Sequence, residues 1–506
     1  MTATDRTALP EAMGALFDRK GSTVAFITPE DHSTVTYSQL DGHVETLARR
    51  LAAAGIERGD RVALALGNSP DFIELLLAII ALGAAAAPLN PAYTADEFGF
   101  YLGDVQPRLL LLPESQPAAR AAAGEAGVAT ATVAAAAGGP PAVTVDGHEL
   151  TAEAPYEAGL PDDVAIVLHT SGTTSRPKQV PLRQRNVMAT VRTIAAHYAL
   201  GPDDVSFCVM PLFHVHGLVA STFSALASGG SIVVPRRFTP QRFWPQAREH
   251  GATWLSAGPT LHQMILDKVD EGGAPETLRF TRSCSSALSP ALLARSEETY
   301  RVPMLEAYGM TEASHQMASN PLPPAAHKAG SVGIPTGMEV AIIDAERNFL
   351  PAGTAGEVVI KGPSVTSGYV ANEQANAESF FDGWFRTGDQ GVFRDGYLFL
   401  EGRLKEMILR GGENIAPAEI EEVLLRHPAV ADAVCFGVED EKYGETVSAA
   451  VRLTAEADER ALIEHCRGSL AAFKVPTTIH VLDEIPRTAT GKVQRRRVAE
   501  YVLKGE

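Results

Sequence analysis

Cysteine is scarce in this chain. Its 506 residues include only Cys208, Cys284, Cys435 and Cys466. No two are spaced as C-x-x-C, so zinc-ribbon and thioredoxin-like chemistry lack their ligands. Scattered thiols in so long a chain suit a reducing compartment, and a cytoplasmic setting is expected. Long apolar runs are also missing. The longest, 72–88, carries Glu74 and predicts a buried helix rather than a membrane span. Residues 1–10 have no apolar core of signal-peptide length, and Leu503-Lys504-Gly505-Glu506 is not a peroxisomal Ser-Lys-Leu signal. Positive charge is in deficit, with 43 Lys and Arg against 61 Asp and Glu and a formal net charge of −18. That balance argues against nucleic acid or an anionic membrane as partner. An anionic small molecule would need local cationic loops.

What is present describes a globular protein with 45% hydrophobic and 21% charged residues. At this length one hydrophobic core is not enough, so two or more domains are expected. Helical spacing over 37–54 and 72–82 alternates with strand-like runs at 61–66 and 84–89, the signature of an α/β domain with parallel strands. Residues 117–143 are rich in Ala and Gly and read as a surface excursion. Residues 187–198 are helix-spaced. From 337 to 402 short strands with Gly turns predict a β-rich subdomain. Beyond 403–406, helices at 418–426 and 461–470 and strands at 433–438 and 445–453 make a compact α+β unit of roughly 100 residues.

One loop stands out. Leu168-His169-Thr170-Ser171-Gly172-Thr173-Thr174-Ser175-Arg176-Pro177-Lys178 follows an apolar, strand-like run. It offers backbone N–H groups, hydroxyls and two cations to a polyphosphate. It is not the G-x-x-x-x-G-K-[ST] loop, because no Ser or Thr follows Lys178. Downstream, and in order, come Tyr308-Gly309-Met310-Thr311-Glu312, Trp384-Phe385-Arg386-Thr387-Gly388-Asp389, Gly402-Arg403-Leu404-Lys405-Glu406 and Pro486-Arg487-Thr488-Ala489-Thr490-Gly491-Lys492. Taken singly, these motifs read as a polar turn, a core tyrosine, a Thr-Gly-Asp turn and a solvated basic tail. Taken together, they resemble the adenylate-forming superfamily of acyl-CoA synthetases, luciferases and peptide-synthetase adenylation domains.

That resemblance implies a fold and a division of roles. The fold is α/β: a large N-terminal domain of layered sheets with a β-rich subdomain over 1–404, and a small mobile α+β lid over 405–506. Thr170, Ser171, Gly172, Thr173, Thr174 and Lys178 would hold the β- and γ-phosphates of ATP. Many relatives carry glycine after the lysine where this chain has Gln179; a positive φ there would strain glutamine. A hard cation bridging phosphates wants a carboxylate, so Glu312, with Thr170, is the candidate Mg²⁺ ligand. Thr311 would donate to the α-phosphate and Tyr308 would stack on adenine. Asp389 would take the ribose hydroxyls beside Arg403. Lys492 would reach into the site for adenylation and leave for thioester formation, with Lys405 as hinge. Gly411 and Gly412 would face the site only in the second arrangement, toward coenzyme A.

The candidate acyl-pocket segments are polar. Phe213-His214-Val215-His216-Gly217, Arg282-Ser283-Cys284-Ser285-Ser286-Ala287 and Thr311-Glu312-Ala313-Ser314-His315 hold histidines and hydroxyls where a fatty-acyl tunnel would be apolar. With Ser319-Asn320-Pro321-Leu322-Pro323, His327-Lys328 and Arg410-Gly411-Gly412-Glu413, they resemble the oxalyl-CoA synthetase branch. Carried over, His214, Ser285 and His315 hold the distal carboxylate and Ala287 shapes a short pocket. The implied reaction joins oxalate to coenzyme A through an acyl-adenylate, by a monomer or homodimer. A malonyl- or coumaroyl-type ligase and a module loading a carrier protein in trans remain open, and sequence alone does not place Arg282 in or out of the pocket. A non-enzymatic binder fits poorly with Lys492, Glu312 and Asp389 all present.

Overall fold

The computed structural model describes residues 12–13, 16, 21–136, 138–170, 177–411, 413–488 and 492–504. Over these residues two large sheets dominate. One has nine strands and is parallel through its centre, where Val205–Phe207, Trp254–Ala257, Phe280–Ser283 and Met304–Met310 lie side by side. The other has eight strands; Ala85–Pro88, Arg61–Leu64, Leu109–Leu112 and Ala129–Ala134 are parallel neighbours, with Val164–Thr170 beside Ala85–Pro88. One continuous core joins the two sheets, from Phe26 and Leu47 through Ile166 and Val191 to Leu305 and Met317.

Local chemistry sets the helices between them. Thr36 caps Tyr37–Ala53 by accepting from the Gln39 N–H, and Gln39 returns the bond. Ser69 caps Pro70–Ala81, with Pro70 in the first turn, where its missing N–H costs nothing. Pro70–Ala81 is buried almost all round. Its one interior carboxylate, Glu74, meets His43 Nδ1 at 3.0 Å. Among the described residues no helix is long and apolar enough to cross a membrane.

The Ala-rich stretch is a correction. Residues 117–143 are not a surface excursion. Pro117–Ala126 is a helix that buries Ala119, Ala122 and Ala123, and Ala129–Ala134 is a strand of the eight-stranded sheet. Small side chains there allow close helix packing, which composition alone reads as lack of a core.

A third sheet, built from Glu339–Ile343, Gly356–Lys361, Phe380–Phe381, Trp384–Arg394 and Tyr397–Arg403, is antiparallel. The fourth, with Ile408–Arg410, Glu413–Ile415, Val430–Asp440, Gly444–Leu453 and Thr478–Val481, packs on Pro417–Leu425 and Glu459–Arg467. It has its own core around Ile408, Leu424, Val447 and Leu462.

Candidate active site

In an open parallel sheet, ligands collect beyond the carboxyl ends of the strands. Here those ends deliver Ser256 from Trp254–Ala257, then Arg282 and the segment through Ala287 from Phe280–Ser283, and Tyr308 from Met304–Met310. The last strand runs into the single 3₁₀ turn Thr311–Ala313 and back through His315–Ser319. His214 and His216 follow Val205–Phe207 at the start of a π-helical turn, His216–Phe223.

On the nucleotide side, Thr170 ends the strand Val164–Thr170 and pairs with Lys178, the first residue of the return strand. Ser171, Gly172, Thr173 and Thr174 lie outside the described residues. The Lys178 ammonium sits 4.6 Å over the Tyr369 ring, and the Tyr369 hydroxyl donates to Glu312 Oε1 at 2.8 Å. Tyr369 therefore ties the end of the loop to the buried Glu312, a link absent from the sequence motifs. Gln179 carries no strain: it lies in the strand Lys178–Arg183, with its Nε2 donating to the Asp104 carbonyl at 2.7 Å. Glu312 Oε2 receives no hydrogen bond from the described residues, so an acidic oxygen remains for a hard cation. A carboxylate and the Thr170 hydroxyl are donors that fit Mg²⁺.

Asp389 is buried and accepts from the Tyr308 hydroxyl and, at 2.8 Å, from Arg403 Nε. Burial raises the pKa of its carboxyl, against the pull of Arg403 and Tyr308. Lys492 reaches the same place from the C-terminal unit. Its pKa is pushed down by burial and by the Arg403 charge, while Cys284, Glu312 and Asp389 act the other way. A second tie across the two units runs from Arg487 Nη1 to Thr260 Oγ1 at 3.2 Å. Lys405 is exposed in the 3₁₀ turn Leu404–Glu406, and Gly411 is exposed at φ +60°. Gly412 lies outside the described residues.

The acyl side is a cluster of neutral histidines around a buried cation. His214 Nδ1 accepts from the His216 N–H at 3.2 Å. Burial and the Lys492 charge push its pKa down to about 3. His216 and His315 are buried, their ring centroids 5.0 Å apart. Burial holds both well below the ordinary histidine value, and the Arg282 charge acts in the same direction. His216 reaches Ser285 Oγ at 2.9 Å from Nδ1 and Ser256 Oγ at 2.7 Å from Nε2. Ala287 is exposed at the rim of this segment.

Two glycines make room. A Cβ on Gly217 would meet the Pro211 carbonyl oxygen at 2.3 Å, and one on Gly309 the His315 carbonyl oxygen at 2.4 Å. Ser285, Ser314 and His315 take φ of +80°, +54° and +124°, the kind of strain that persists where surrounding structure enforces it. His216, Ser256, Arg282 and Tyr369 belong to the site and were not among the residues expected to form it. For His216 and Arg282 the signal was membership of the polar segments that also hold His214 and Ser285. For Ser256 and Tyr369 there was none.

Family models match this arrangement over nearly the whole chain: an AMP-binding enzyme model over residues 16–370 and an AMP-binding enzyme C-terminal domain model over 419–492. The chain belongs to the AMP-binding enzyme family. It is an AMP-forming acid–thiol ligase that uses ATP. Among similar AMP-binding enzymes is the oxalate–CoA ligase of Arabidopsis thaliana, 47% identical, with 93% of this chain and 94% of that protein covered. The oxalate–CoA ligase of Saccharomyces cerevisiae is 40% identical, with 95% of each covered. The crystal structure of ATP-bound MatB from Rhodopseudomonas palustris superposes with a TM-score of 0.88 at 29% identity, covering 97% of this chain and 99% of that one.

Proposed function

We propose that this AMP-binding enzyme is an oxalate–CoA ligase. It converts oxalate and ATP to oxalyl-adenylate and diphosphate, then passes the oxalyl group to the thiol of coenzyme A and releases AMP. The observation that carries this reading is the acyl wall, where His214, His216, Ser285 and His315 surround the end of the strand bearing Arg282. A wall of neutral donors suits a two-carbon acid whose far end is also a carboxylate, and it suits an alkyl chain poorly.

The remaining roles are those that the family resemblance implies. Thr170 and Lys178, with the loop between them, take the β- and γ-phosphates. Bound Mg²⁺, held by Glu312 and Thr170, would neutralise phosphate charge. Tyr308 offers its ring to adenine while its hydroxyl steadies Asp389, which accepts from the ribose hydroxyls. Thr311 donates to the α-phosphate. Lys492 supplies the cation as pyrophosphate leaves. The unit 405–506 then turns about Lys405, withdrawing Lys492 and bringing Gly411 and Gly412 toward the path of the thiol. Four buried free cysteines support a cytoplasmic setting.

ATP–pyrophosphate exchange over a panel of acids tests the reading. Oxalate should be the best activator, with coenzyme A rather than a carrier protein as acceptor. Preference for octanoate, coumarate or malonate would overturn the substrate. Transfer to a carrier protein alone would overturn the acceptor.

A further inference from the structure

Arg282 is fully buried and forms no ion pair with a carboxylate among the described residues. Its five N–H groups go to neutral atoms. Nε donates to the Tyr198 hydroxyl at 2.9 Å, Nη1 to Ser256 Oγ at 2.8 Å and Nη2 to Gln316 Oε1 at 3.1 Å. Nη1 also approaches His216 Nε2, and Nη2 approaches His315 Nδ1, each at 3.4 Å. The Arg282 carbonyl is held in turn by His262 Nε2 at 3.0 Å. A guanidinium only donates. Whatever faces it must offer a lone pair.

That constraint fixes protons several atoms away. Arg282 Nη1 faces both Ser256 Oγ and His216 Nε2; a donor-only group beside Nε2 leaves that nitrogen its lone pair, so the Ser256 proton goes to His216 Nε2, 2.7 Å away. His216 is neutral. With Nε2 accepting, its proton sits on Nδ1 and is donated to Ser285 Oγ at 2.9 Å. The Ser285 hydroxyl, its lone pair engaged, is free to donate outward. His315, also neutral, turns Nδ1 to Arg282 and so carries its proton on Nε2. The backbone reinforces the pattern: Ser285 and His315 both hold positive φ, and only glycine at 309 lets the His315 backbone come so close.

We propose that Arg282 is a positioning residue that sets the proton pattern of the acyl pocket: through Ser256 and His216, and directly at His315, it makes Ser285 and His315 donors. The pocket then takes acids whose far end only accepts hydrogen bonds, an ionised carboxylate or an anion like it. It rejects isosteres that carry a proton donor there. Among the described residues no carboxylate balances the buried guanidinium, a role that such an anion would fill. This inference rests on the acid–CoA ligase reading and deepens it, because it names the feature of the acid that is read.

Two measurements test it. In protein labelled with ¹⁵N-histidine, ring-nitrogen spectra assigned with His216→Gln and His315→Gln should show wild-type His216 protonated at Nδ1 and His315 at Nε2. The opposite tautomer at either ring overturns the proposal, and this readout needs no substrate, so it is independent of whether oxalate is the true acid. In pyrophosphate exchange, oxalate should exceed oxamate, the same shape with an amide in place of the far carboxylate, by at least roughly 100-fold in kcat/KM. Arg282→Met should shrink that ratio to about tenfold or less, through KM for oxalate, while KM for ATP holds. If wild type uses oxamate as well as oxalate, or if Arg282→Met keeps the full ratio, Arg282 does not set the selectivity. If Arg282→Met does not fold, the wild-type tautomers and the wild-type ratio still decide. Failure of wild type to activate oxalate at all, with the stated tautomers present, would instead overturn the oxalate reading.

Discussion

Lys492 and His214 share one neighbourhood: loss of water around the imidazole, and then the lysine's charge, push the His214 pKa down to about 3. The same crowding lowers the pKa of Lys492, chiefly through burial and then Arg403. A lysine needed as a cation then fails earlier on the alkaline side than a solvated one. In kcat/KM for adenylation, which reports the free enzyme, the alkaline limb should fall below the ordinary lysine range. Lys492→Arg should remove that limb, because a guanidinium stays charged. His214, neutral down to about 3, should add no acid limb near the ordinary histidine value. Lys492→Ala should abolish adenylation yet spare thioester formation from supplied acyl-adenylate. Equal loss in both half-reactions would refute the alternation of the C-terminal unit.

The proposed hinge, Lys405, lies in the turn Leu404–Glu406. Lys405→Pro fixes φ and deletes a backbone donor. The variant is expected to keep one half-reaction and lose the other, measured separately as pyrophosphate exchange and as thioester formation from acyl-adenylate. Unchanged overall turnover would place the hinge elsewhere.

Glu306 carries a cost unrelated to ATP. It lies on the strand Met304–Met310, where Oε1 accepts from the Leu288 N–H at 3.3 Å and Oε2 has no partner among the described residues. Burial pushes its carboxyl from an ordinary 4.5 up to about 8. The folded state thus holds a proton that the unfolded state releases. Stability falls as pH rises between those two values, by at most about 1.4 kcal/mol per pH unit. Glu306→Gln keeps the acceptor and removes the ionisation. It should stabilise the protein by about 2 kcal/mol more at pH 8 than at pH 6, read from urea melts at each pH. A gain independent of pH would mean that Glu306 is not protonated in the fold.

Much of this was legible in the chain, and the rest was hidden for physical reasons. The parallel α/β layers followed from helix and strand periods at 37–54, 61–66 and 72–82. His214, Ser285 and His315 stood in segments whose polarity was itself the signal. Arg282 could not be placed, because one residue along a strand turns a side chain to the other face of the sheet. Only the register, Ser256 beside Arg282, sets where it points. His216 differs from His214 by two positions, and the π-helical turn that buries one and leaves the other half-buried has no sequence signature. Tyr369 reaches Glu312 across 57 positions, a tertiary contact that no local pattern encodes. Residues 117–143 misled because alanine marks both close packing and low complexity.

The last test concerns the substrate itself. Oxalate brings two charges two carbons apart, so the far carboxylate must lose its water close to the reacting one. That desolvation has to be offset by placed donors. His214 and His315 are both neutral, so what they can offer is an N–H each, not a charge. Removing one donor from a buried anion should cost about 1.5–3 kcal/mol, a tenfold or greater drop in kcat/KM. His315→Ala and His214→Ala are therefore expected to cripple oxalate activation while ATP still binds, measured by exchange kinetics and by nucleotide titration. A pocket with this wall should also reject medium- and long-chain fatty acids. If both variants keep full oxalate activity, the histidines do not hold the far carboxylate, and only the acid–thiol ligase remains.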